Sequence, residues 1–202
     1  LKSLGLTHFQ YQDGDYIGMV LALASLFPVF LVVMETTVVL SRREATGILL
    51  LIGQLLNEAS NLILKSVIQH DRPNLHLGDG YGMPSSHSQF MAFFASYTII
   101  YLESRIVTSP IHKRVVQAGA VVLGLLVMFS RIYLGYHTAP QVIAGGLVGL
   151  VSGCFWLWFV EYVIYPSGFV AFVLDWPVCQ WLLLRDSRCI SDIALAEYRL
   201  SR

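Results

Sequence analysis

The stretch that decides the fold reads Lys65-Ser-Val-Ile-Gln-His-Asp-Arg72-Pro73 and, after a short loop, Pro84-Ser85-Ser86-His87. A second stretch further along the chain reads Ser130-Arg131-Ile-Tyr-Leu-Gly-Tyr-His137-Thr-Ala-Pro-Gln141. Both stretches lie at the edges of strongly apolar segments, where charge is expensive. Three permanent cations and two histidines in such places indicate a functional site.

The residue types at these edges favour chemistry on a phosphate group. Lys65, Arg72 and Arg131 carry donors that match the oxygens of a tetrahedral phosphate. A neutral imidazole can act as a nucleophile, and a protonated one can act as an acid. No carboxylate cluster accompanies His87 or His137, so the set does not resemble a metal site. The sequence predicts a phosphoryl-transfer site at a membrane face, with no metal and no other cofactor.

The composition is typical of a membrane protein. Of the 202 residues, 55% are hydrophobic and 13% are charged, whereas a soluble domain carries about a quarter charged residues. The mean hydropathy is +0.63. The formal net charge is zero, so nothing suggests a nucleic-acid partner. We expect a single integral membrane domain over residues 1–202, and the sequence leaves its oligomeric state open.

Five apolar segments are long enough to cross a bilayer. They cover residues 16–40, 47–65, 86–103, 115–130 and about 138–162. Pro28 is expected to kink the first segment, and the glycines between Gly145 and Gly153 are expected to allow close helix packing. Residues 166–184 are split by Asp175-Trp176-Pro177, which favours an interfacial or re-entrant segment over a sixth crossing. The predicted fold is an all-α, polytopic bundle with about five transmembrane helices and a C-terminal interfacial segment.

The second apolar segment carries polar residues inside the span. Positions 58, 61, 62 and 65 share one helical face, and polar groups inside a membrane usually face the bundle or a cavity. Glu58 and Asn61 are therefore candidate supporting residues. Glu58 is interpreted as a structural partner of Lys65, with a direct role in the site as the alternative. His70, in the loop that follows, is interpreted as a surface residue.

An odd number of crossings places the two motif stretches on the same side of the membrane. Lys65, Arg72 and Arg131 lie on that side. Most other basic residues lie on the opposite side: Arg42, Arg43, Arg105, Lys113 and Arg114, with the basic tail. Because positive loops mark the cytoplasmic face, the site is expected to face the lumen or the exterior.

Helix starts add further groups suited to an anion. Ser85 and Ser86 stand at one predicted helix N-terminus, where Ser85 is also a candidate N-cap, and His137 just precedes another. A pentacoordinate phosphorus would meet donors on several sides, which is preorganised electrostatic stabilisation. One histidine would attack phosphorus and the other would protonate the leaving oxygen.

The pattern K-x6-RP, PSxH and SR-x5-H resembles the type 2 phosphatidic acid phosphatase superfamily of integral membrane lipid phosphatases. All three blocks are present, in order, at the expected helix ends. Longer blocks narrow the resemblance to the branch of that superfamily whose members hydrolyse dolichyl diphosphate. These blocks cover residues 55–61, 81–90, 130–138, 176–178 and 185–186, so the similarity extends over nearly the whole chain.

The resemblance implies a role for each motif residue. His137 would be the nucleophile that forms a phosphohistidine, and His87 would be the general acid to the departing lipid phosphate. Phosphate would be bound by the other motif residues: Lys65, Arg72, Ser85, Ser86 and Arg131. The implied partners are dolichyl diphosphate and membrane lipid. The implied reaction releases inorganic phosphate at the lumenal face of the endoplasmic reticulum and recycles the lipid carrier for protein N-glycosylation.

Two positions depart from the wider superfamily. Ser86 stands where a glycine is usual and adds a hydroxyl near the phosphate. Gln141 stands where an aspartate usually orients the nucleophile. Because Gln141 lies one helical turn after His137, its Oε1 can accept a hydrogen bond from Nδ1 and leave Nε2 free to attack. An amide cannot stabilise the imidazolium with a charge.

Two other functions stay open. One is a broader lipid phosphatase that acts on phosphatidic acid or another polyprenyl diphosphate. The other is a non-catalytic protein that binds or transports lipid phosphates with the same basic pocket. The intact pair of histidines disfavours the second alternative, because cations alone would suffice for binding.

Overall fold

Helices make up most of this computed structural model, which describes residues 2–4, 9–11, 13–74, 77, 80–106, 109–188, 198–199 and 202. The elements follow in this order: β1 (Lys2–Leu4), β2 (Phe9–Tyr11), α1 (Tyr16–Ala24), α2 (Phe27–Arg42), α3 (Ala45–Ile68), α4 (Ser86–Arg105), α5 (Pro110–Tyr133), α6 (Ala139–Phe159), a π-helical turn (Val160–Ile164), α7 (Phe169–Leu174) and α8 (Pro177–Trp181). The all-α class is confirmed. The two strands form one short antiparallel ribbon, which the apolar pattern does not predict.

A break divides the first apolar segment into α1 and α2. Asp15 caps α1 by accepting a hydrogen bond from the Gly18 N–H at 2.8 Å. Pro28 lies in the first turn of α2, where the missing N–H costs nothing because that turn has no helical acceptor for it. The stretch Tyr16–Arg42 still forms one apolar span of 27 residues. The predicted crossing is confirmed, and the helix is interrupted at Ser25 and Leu26, just before Pro28.

Among the residues that the structure describes, four helical stretches are long and apolar enough to cross a membrane: Tyr16–Arg42, Ala45–Ile68, Pro110–Tyr133 and Ala139–Ile164. Helix α4 is less apolar, but its 20 residues extend for about 30 Å. It packs against α3, α5 and α6, and the polar residues Ser88 and Gln89 in its first turns are fully buried. The helices therefore cross about five times, as predicted, and the chain is a multi-pass membrane protein.

Helices α4 and α6 run parallel and touch through glycines. Gly145 faces the backbone of Ser85, and Gly149 faces the backbone of Gln89, one turn further along both helices. A Cβ atom at either glycine would overlap the neighbouring carbonyl oxygen. Only glycine allows the helices to approach this closely, so the predicted packing role of this segment is confirmed.

The C-terminal segment returns to the junction between α2 and α3. Helices α7 and α8 have six and five residues, too few to cross a bilayer. Beyond α8, the Ala45 N–H donates to the Arg185 carbonyl, and the Arg185 N–H donates to the Arg43 carbonyl, both at 2.9 Å. The Arg185 guanidinium also pairs with Glu44 at 2.7 Å. The predicted interfacial segment is therefore fastened to the bundle end at which α3 begins.

Replacing Gly149 with alanine is expected to lower the melting temperature in detergent, because the added methyl group would overlap the Gln89 carbonyl. Overpacking of this kind costs about 1–3 kcal/mol. Gly119 on α5 is the matched control, since a Cβ atom there meets nothing within 4 Å, and Gly119→Ala should be neutral or stabilising. Equal melting temperatures for the two variants would contradict the backbone contact between α4 and α6.

Candidate active site

The ends of four helices bring the two motif stretches together. Lys65 lies near the end of α3, His87 in the first turn of α4, Arg131 near the end of α5, and His137 just before α6. Arg72 reaches the same place from the loop after α3, where its Nε donates to the Gly80 carbonyl at 3.3 Å. Each histidine lies within the electrostatic reach of all three cations.

A tight turn after α5 folds His137 back over Arg131. The N–H groups of Tyr136 and His137 both donate to the Arg131 carbonyl at 3.1 Å. Gly135 makes the turn with a φ of +74°, which glycine adopts without steric cost. The Arg131 side chain is buried, and its guanidinium carbon lies 4.0 Å from the centre of the Tyr136 ring, a cation–π contact. The turn therefore holds a guanidinium and an imidazole close together.

The start of α4 is attached directly to α6. The Ser85 N–H donates to the Gln141 carbonyl at 3.1 Å, and the Ser88 hydroxyl donates to the Ser85 hydroxyl at 3.1 Å. Ser85 occupies the N-cap position, as expected, although its side chain makes no capping hydrogen bond to the helix backbone. Ser86 begins the helix and is half-buried. Both hydroxyls lie at the helix end whose dipole favours an anion.

A buried amide network lies beneath the site. The Gln89 Nε2 donates to the backbone and side-chain oxygens of Asn57, both at 2.9 Å. The Gln89 Oε1 accepts from the Asn61 Nδ2 at 2.8 Å, and the Ser152 hydroxyl donates to the Asn57 Oδ1 at 2.8 Å. These hydrogen bonds join α3, α4 and α6 in a low-dielectric interior, where they are stronger than in water.

Gln89 is the residue beneath the site to which the sequence reasoning assigned no role. An amide two residues beyond His87, inside an otherwise apolar span, is the signal that could have found it. Asn61 supports the start of α4 through Gln89, and its Nδ2 also lies 3.3 Å from the Pro84 carbonyl.

The inward face of α3 differs from the predicted one. Asn57 and Asn61 are buried, whereas Leu62, which the predicted face included, is 61% exposed. That part of the prediction is wrong because the amides pair with α4, and this pairing sets the rotation of the helix. Glu58 is half-buried at the edge of the face and acts on Lys65 through its charge. Its role, structural or direct, stays a prediction.

The Gln141 amide is held at both ends. Its Oε1 lies 3.2 Å from the His137 Nδ1 and accepts from the Thr138 N–H at 3.1 Å. Its Nε2 donates to the Asp71 carbonyl at 2.7 Å and lies 3.0 Å from the His70 Nδ1. A backbone N–H can only donate and a carbonyl can only accept, so these partners determine which end of the amide is oxygen. The His137 Nδ1 therefore carries the proton, and its Nε2 has a free lone pair.

His137 remains neutral over the physiological range. Burial lowers the pKa of its imidazole to about 3, and the positive charges of Arg131 and Arg72 add to this effect. The side chain is only 3% exposed. A neutral imidazole with its proton on Nδ1 is the form that can attack phosphorus through Nε2.

The part of the chain that the structure describes contains no group of three His, Cys, Asp or Glu side chains close enough to hold a metal ion. The groups gathered at the site are instead cations, hydroxyls, amides and two imidazoles. The roles of His137, His87 and the phosphate-binding residues stay predictions at this point.

Together, the helices and the site define a class: a multi-pass membrane protein with a basic, histidine-containing site at one end of its bundle. The family model described as the PAP2 superfamily matches residues 46–165. The chain belongs to the PAP2 superfamily, and it is an integral membrane phosphatase.

Several named proteins are similar in sequence to this chain along its whole length. It is 38% identical to "Dolichyldiphosphatase 1" of Homo sapiens, across 100% of this chain and 88% of that protein. It is 36% identical to "Lipid phosphate phosphatase gamma" of Arabidopsis thaliana, across 100% of this chain and 92% of that protein. A solved transmembrane PAP2 type phosphatidylglycerolphosphate phosphatase from Bacillus subtilis has the same fold, with a TM-score of 0.64 and 24% identity over 75% of this chain and 80% of that one.

Replacing Gln141 with alanine is expected to lower kcat by about ten- to a hundredfold, or ~1.4–2.7 kcal/mol, because His137 loses the acceptor that orients its ring. Steady-state assays in detergent measure the effect. Gln117→Ala is the matched control, since Gln117 is another buried glutamine, on α5 at the far end of the bundle. An unimpaired Gln141→Ala enzyme would contradict the orienting role.

His137 is expected to stay neutral as the pH falls from 8 to 5. Because its pKa is lowered, the neutral nucleophile persists in acid and is lost only as the pH falls through about 3. The side-chain ¹⁵N signals of histidine-labelled protein in detergent, assigned by comparison with His137→Ala, report its protonation state. A protonation midpoint between pH 6 and 7 would contradict this prediction.

Proposed function

We propose that this protein hydrolyses dolichyl diphosphate to dolichyl phosphate and inorganic phosphate through a phosphohistidine. The observation that carries the proposal is the gathering of Lys65, Arg72 and Arg131 around two imidazoles, one of them held neutral with Nε2 free. The relatives named dolichyldiphosphatase support the choice of substrate. We also propose that residues 1–202 form a single membrane domain.

In the first half-reaction, the His137 Nε2 attacks the terminal phosphorus of the diphosphate. The bond from that phosphorus to the bridging oxygen breaks, and His87 protonates this oxygen as dolichyl phosphate departs. Lys65, Arg72 and Arg131 stabilise the charge that builds on the phosphoryl oxygens in the transition state.

In the second half-reaction, water attacks the phosphohistidine. His87, now neutral, takes one proton from the water, and the N–P bond breaks to release inorganic phosphate. His137 returns to its neutral state and His87 to its protonated state, so one water is consumed for each diphosphate cleaved. The hydroxyls of Ser85 and Ser86 bind the phosphoryl group at the start of α4 in both steps.

The proposed site faces the lumen of the endoplasmic reticulum, and the product re-enters use as the lipid carrier for protein N-glycosylation. The charge of the loops supports this orientation, since basic loops gather at the end of the bundle away from His137.

A side-by-side assay tests the substrate. Purified protein in detergent should release phosphate faster from dolichyl diphosphate than from dolichyl monophosphate or phosphatidic acid, and His137→Ala should abolish both turnover and the labelled phosphoenzyme. Faster release from phosphatidic acid would support the broader lipid phosphatase, an alternative favoured by the relative named lipid phosphate phosphatase gamma. Binding without phosphate release would support the non-catalytic alternative.

Turnover is expected to persist in excess EDTA, because the described residues of the site are cations, imidazoles, hydroxyls and amides, with no carboxylate cluster among them that would suit a metal ion. Phosphate release before and after chelation measures the effect. Loss of turnover that added Mg²⁺ restores would overturn the metal-free mechanism.

The two ends of the bundle are expected to differ in labelling. In a background without native cysteines, Tyr81→Cys should react with a membrane-impermeant maleimide from the lumenal side, because Tyr81 is exposed in the loop that leads to the site. Arg114→Cys should react only from the cytoplasmic side. Lumenal labelling at position 114 in sealed microsomes would reverse the proposed orientation.

A further inference from the structure

An apolar groove, hereafter the α4–α6 groove, runs along α4 between α5 and α6. Its volume is about 330 Å³. The residues that define it come in pairs from the three helices: Met91 and Ala95, Gly124 and Met128, Leu150 and Cys154. Small residues on α4 and α5 leave the space, and long apolar side chains form the walls.

The upper end of the groove lies directly beneath the candidate active site. Met91 is four residues beyond His87 on α4, and Met128 is three residues before Arg131 on α5. Residues three or four apart share a helical face, so each methionine lies about 5 Å along the helix axis below a site residue. The groove then extends at least as far as Ile99, about 12 Å below Met91.

The lining offers hydrocarbon and almost no hydrogen-bonding capacity. Ser96 carries the one hydroxyl among the lining residues, and this hydroxyl donates to the Phe93 carbonyl of its own helix at 3.0 Å. A groove with such a lining suits a hydrocarbon chain and disfavours a polar headgroup, which would lose its hydrogen bonds there. Methionine side chains at its upper end can adapt to an irregular, branched chain.

We propose that the α4–α6 groove binds the first isoprene units of the lipid substrate while the diphosphate occupies the site above. The inference rests on the proposed function and adds to it a place for the hydrocarbon. The position of the groove favours this occupant. When the phosphate of the lipid contacts His87 and Arg131, its hydrocarbon chain must leave the site along one face of the bundle, and this groove begins one turn below both residues.

A leucine at position 124 tests the groove. A Cβ atom at Gly124 would lie 3.9 Å from the Met91 Cβ, so the backbone accepts a side chain there, and the leucine fills the channel. Gly119→Leu is the matched control, because it adds the same side chain to the same helix where a Cβ atom meets nothing within 4 Å. Two substrates are compared: dolichyl diphosphate and the five-carbon isopentenyl diphosphate, whose single isoprene unit is too short to reach Gly124, about 10 Å below Arg131 along α5.

Gly124→Leu should raise KM for dolichyl diphosphate about tenfold and change kcat/KM for isopentenyl diphosphate less than twofold, relative to Gly119→Leu. Equal KM values of the two variants for dolichyl diphosphate would overturn the proposal that the groove binds the lipid. Equal losses on both substrates would also overturn it, since they would place the effect at the phosphate site. If the unmodified protein hydrolyses neither substrate, the proposed function fails instead.

Photo-crosslinking gives a second measurement that needs no variant. A non-hydrolysable methylene-bisphosphonate analogue of a prenyl diphosphate, with a diazirine on its second isoprene unit, should crosslink to peptides that contain Met91, Met128 or Leu150. Crosslinks confined to α1, α2 or α3 would overturn the proposal that the groove binds the lipid.

A separate observation concerns His70. Its Nδ1 lies 3.0 Å from the Gln141 Nε2 and 3.0 Å from the Asp71 carbonyl oxygen. The N–H of the Gln141 amide can donate to Nδ1 when the His70 ring carries its proton on Nε2. His70 is exposed, as predicted, but its ring contacts the residue that contacts His137.

We infer that His70 is a positioning residue, which holds the Gln141 amide so that Oε1 faces His137. His70→Ala should lower kcat about three- to tenfold at unchanged KM. His70→Asn should restore it, because the asparagine Oδ1 stands at the same number of bonds from Cα as Nδ1 and accepts the same hydrogen bond, whereas His70→Leu should not. A His70→Asn enzyme as slow as His70→Ala, or a His70→Ala enzyme with unchanged kcat, would overturn this role.

Discussion

Helices α4 and α6 meet backbone to backbone at Gly145 and Gly149, and the Ser85 N–H joins their site ends by donating to the Gln141 carbonyl. His87 stands at the start of the first helix and His137 just before the second, so this contact sets the separation of the two imidazoles. A purely hydrocarbon interface would allow the helices to slide along their axes. Glycine contacts and directional hydrogen bonds prevent that sliding, and the amide network of Gln89 extends the same control to α3.

Three cations, Lys65, Arg72 and Arg131, surround the two imidazoles of the site. Their positive charge adds to burial in lowering the pKa of His137 and so favours the neutral imidazole. The residues that support the site from below, Gln89 and Gln141, are amides. An amide can orient an imidazole or a helix without adding negative charge that would cancel the attraction for an anionic substrate. The glutamine at position 141 fits a site in which hydrogen bonds orient the nucleophile and the cations supply the charge.

The opposite end of the bundle uses its charges differently. Arg105 pairs with Glu161, Arg185 pairs with Glu44 at 2.7 Å, and the Arg188 guanidinium lies 3.2 Å from the centre of the Tyr165 ring. These contacts fasten the C-terminal segment to the helix ends. The site therefore has three cations around two histidines, whereas these arginines at the other end lie against carboxylates or an aromatic ring.

The sequence by itself determined the features that depend on local composition and spacing. The lengths of the apolar segments predicted the membrane crossings. The charged residues and histidines at the edges of these segments, among them Lys65 and Arg131, indicated where the site lies. The one-turn offset from His137 to Gln141 predicted their contact. Only the tertiary structure decided which groups pair across helices. The rotation of α3, which exposes Leu62, depends on partners from a distant part of the chain. So do the contacts that His70 and Asp71 make with Gln141. The apolar periodicity of a sequence shows which positions are apolar, but it does not show which neighbour each polar group will meet.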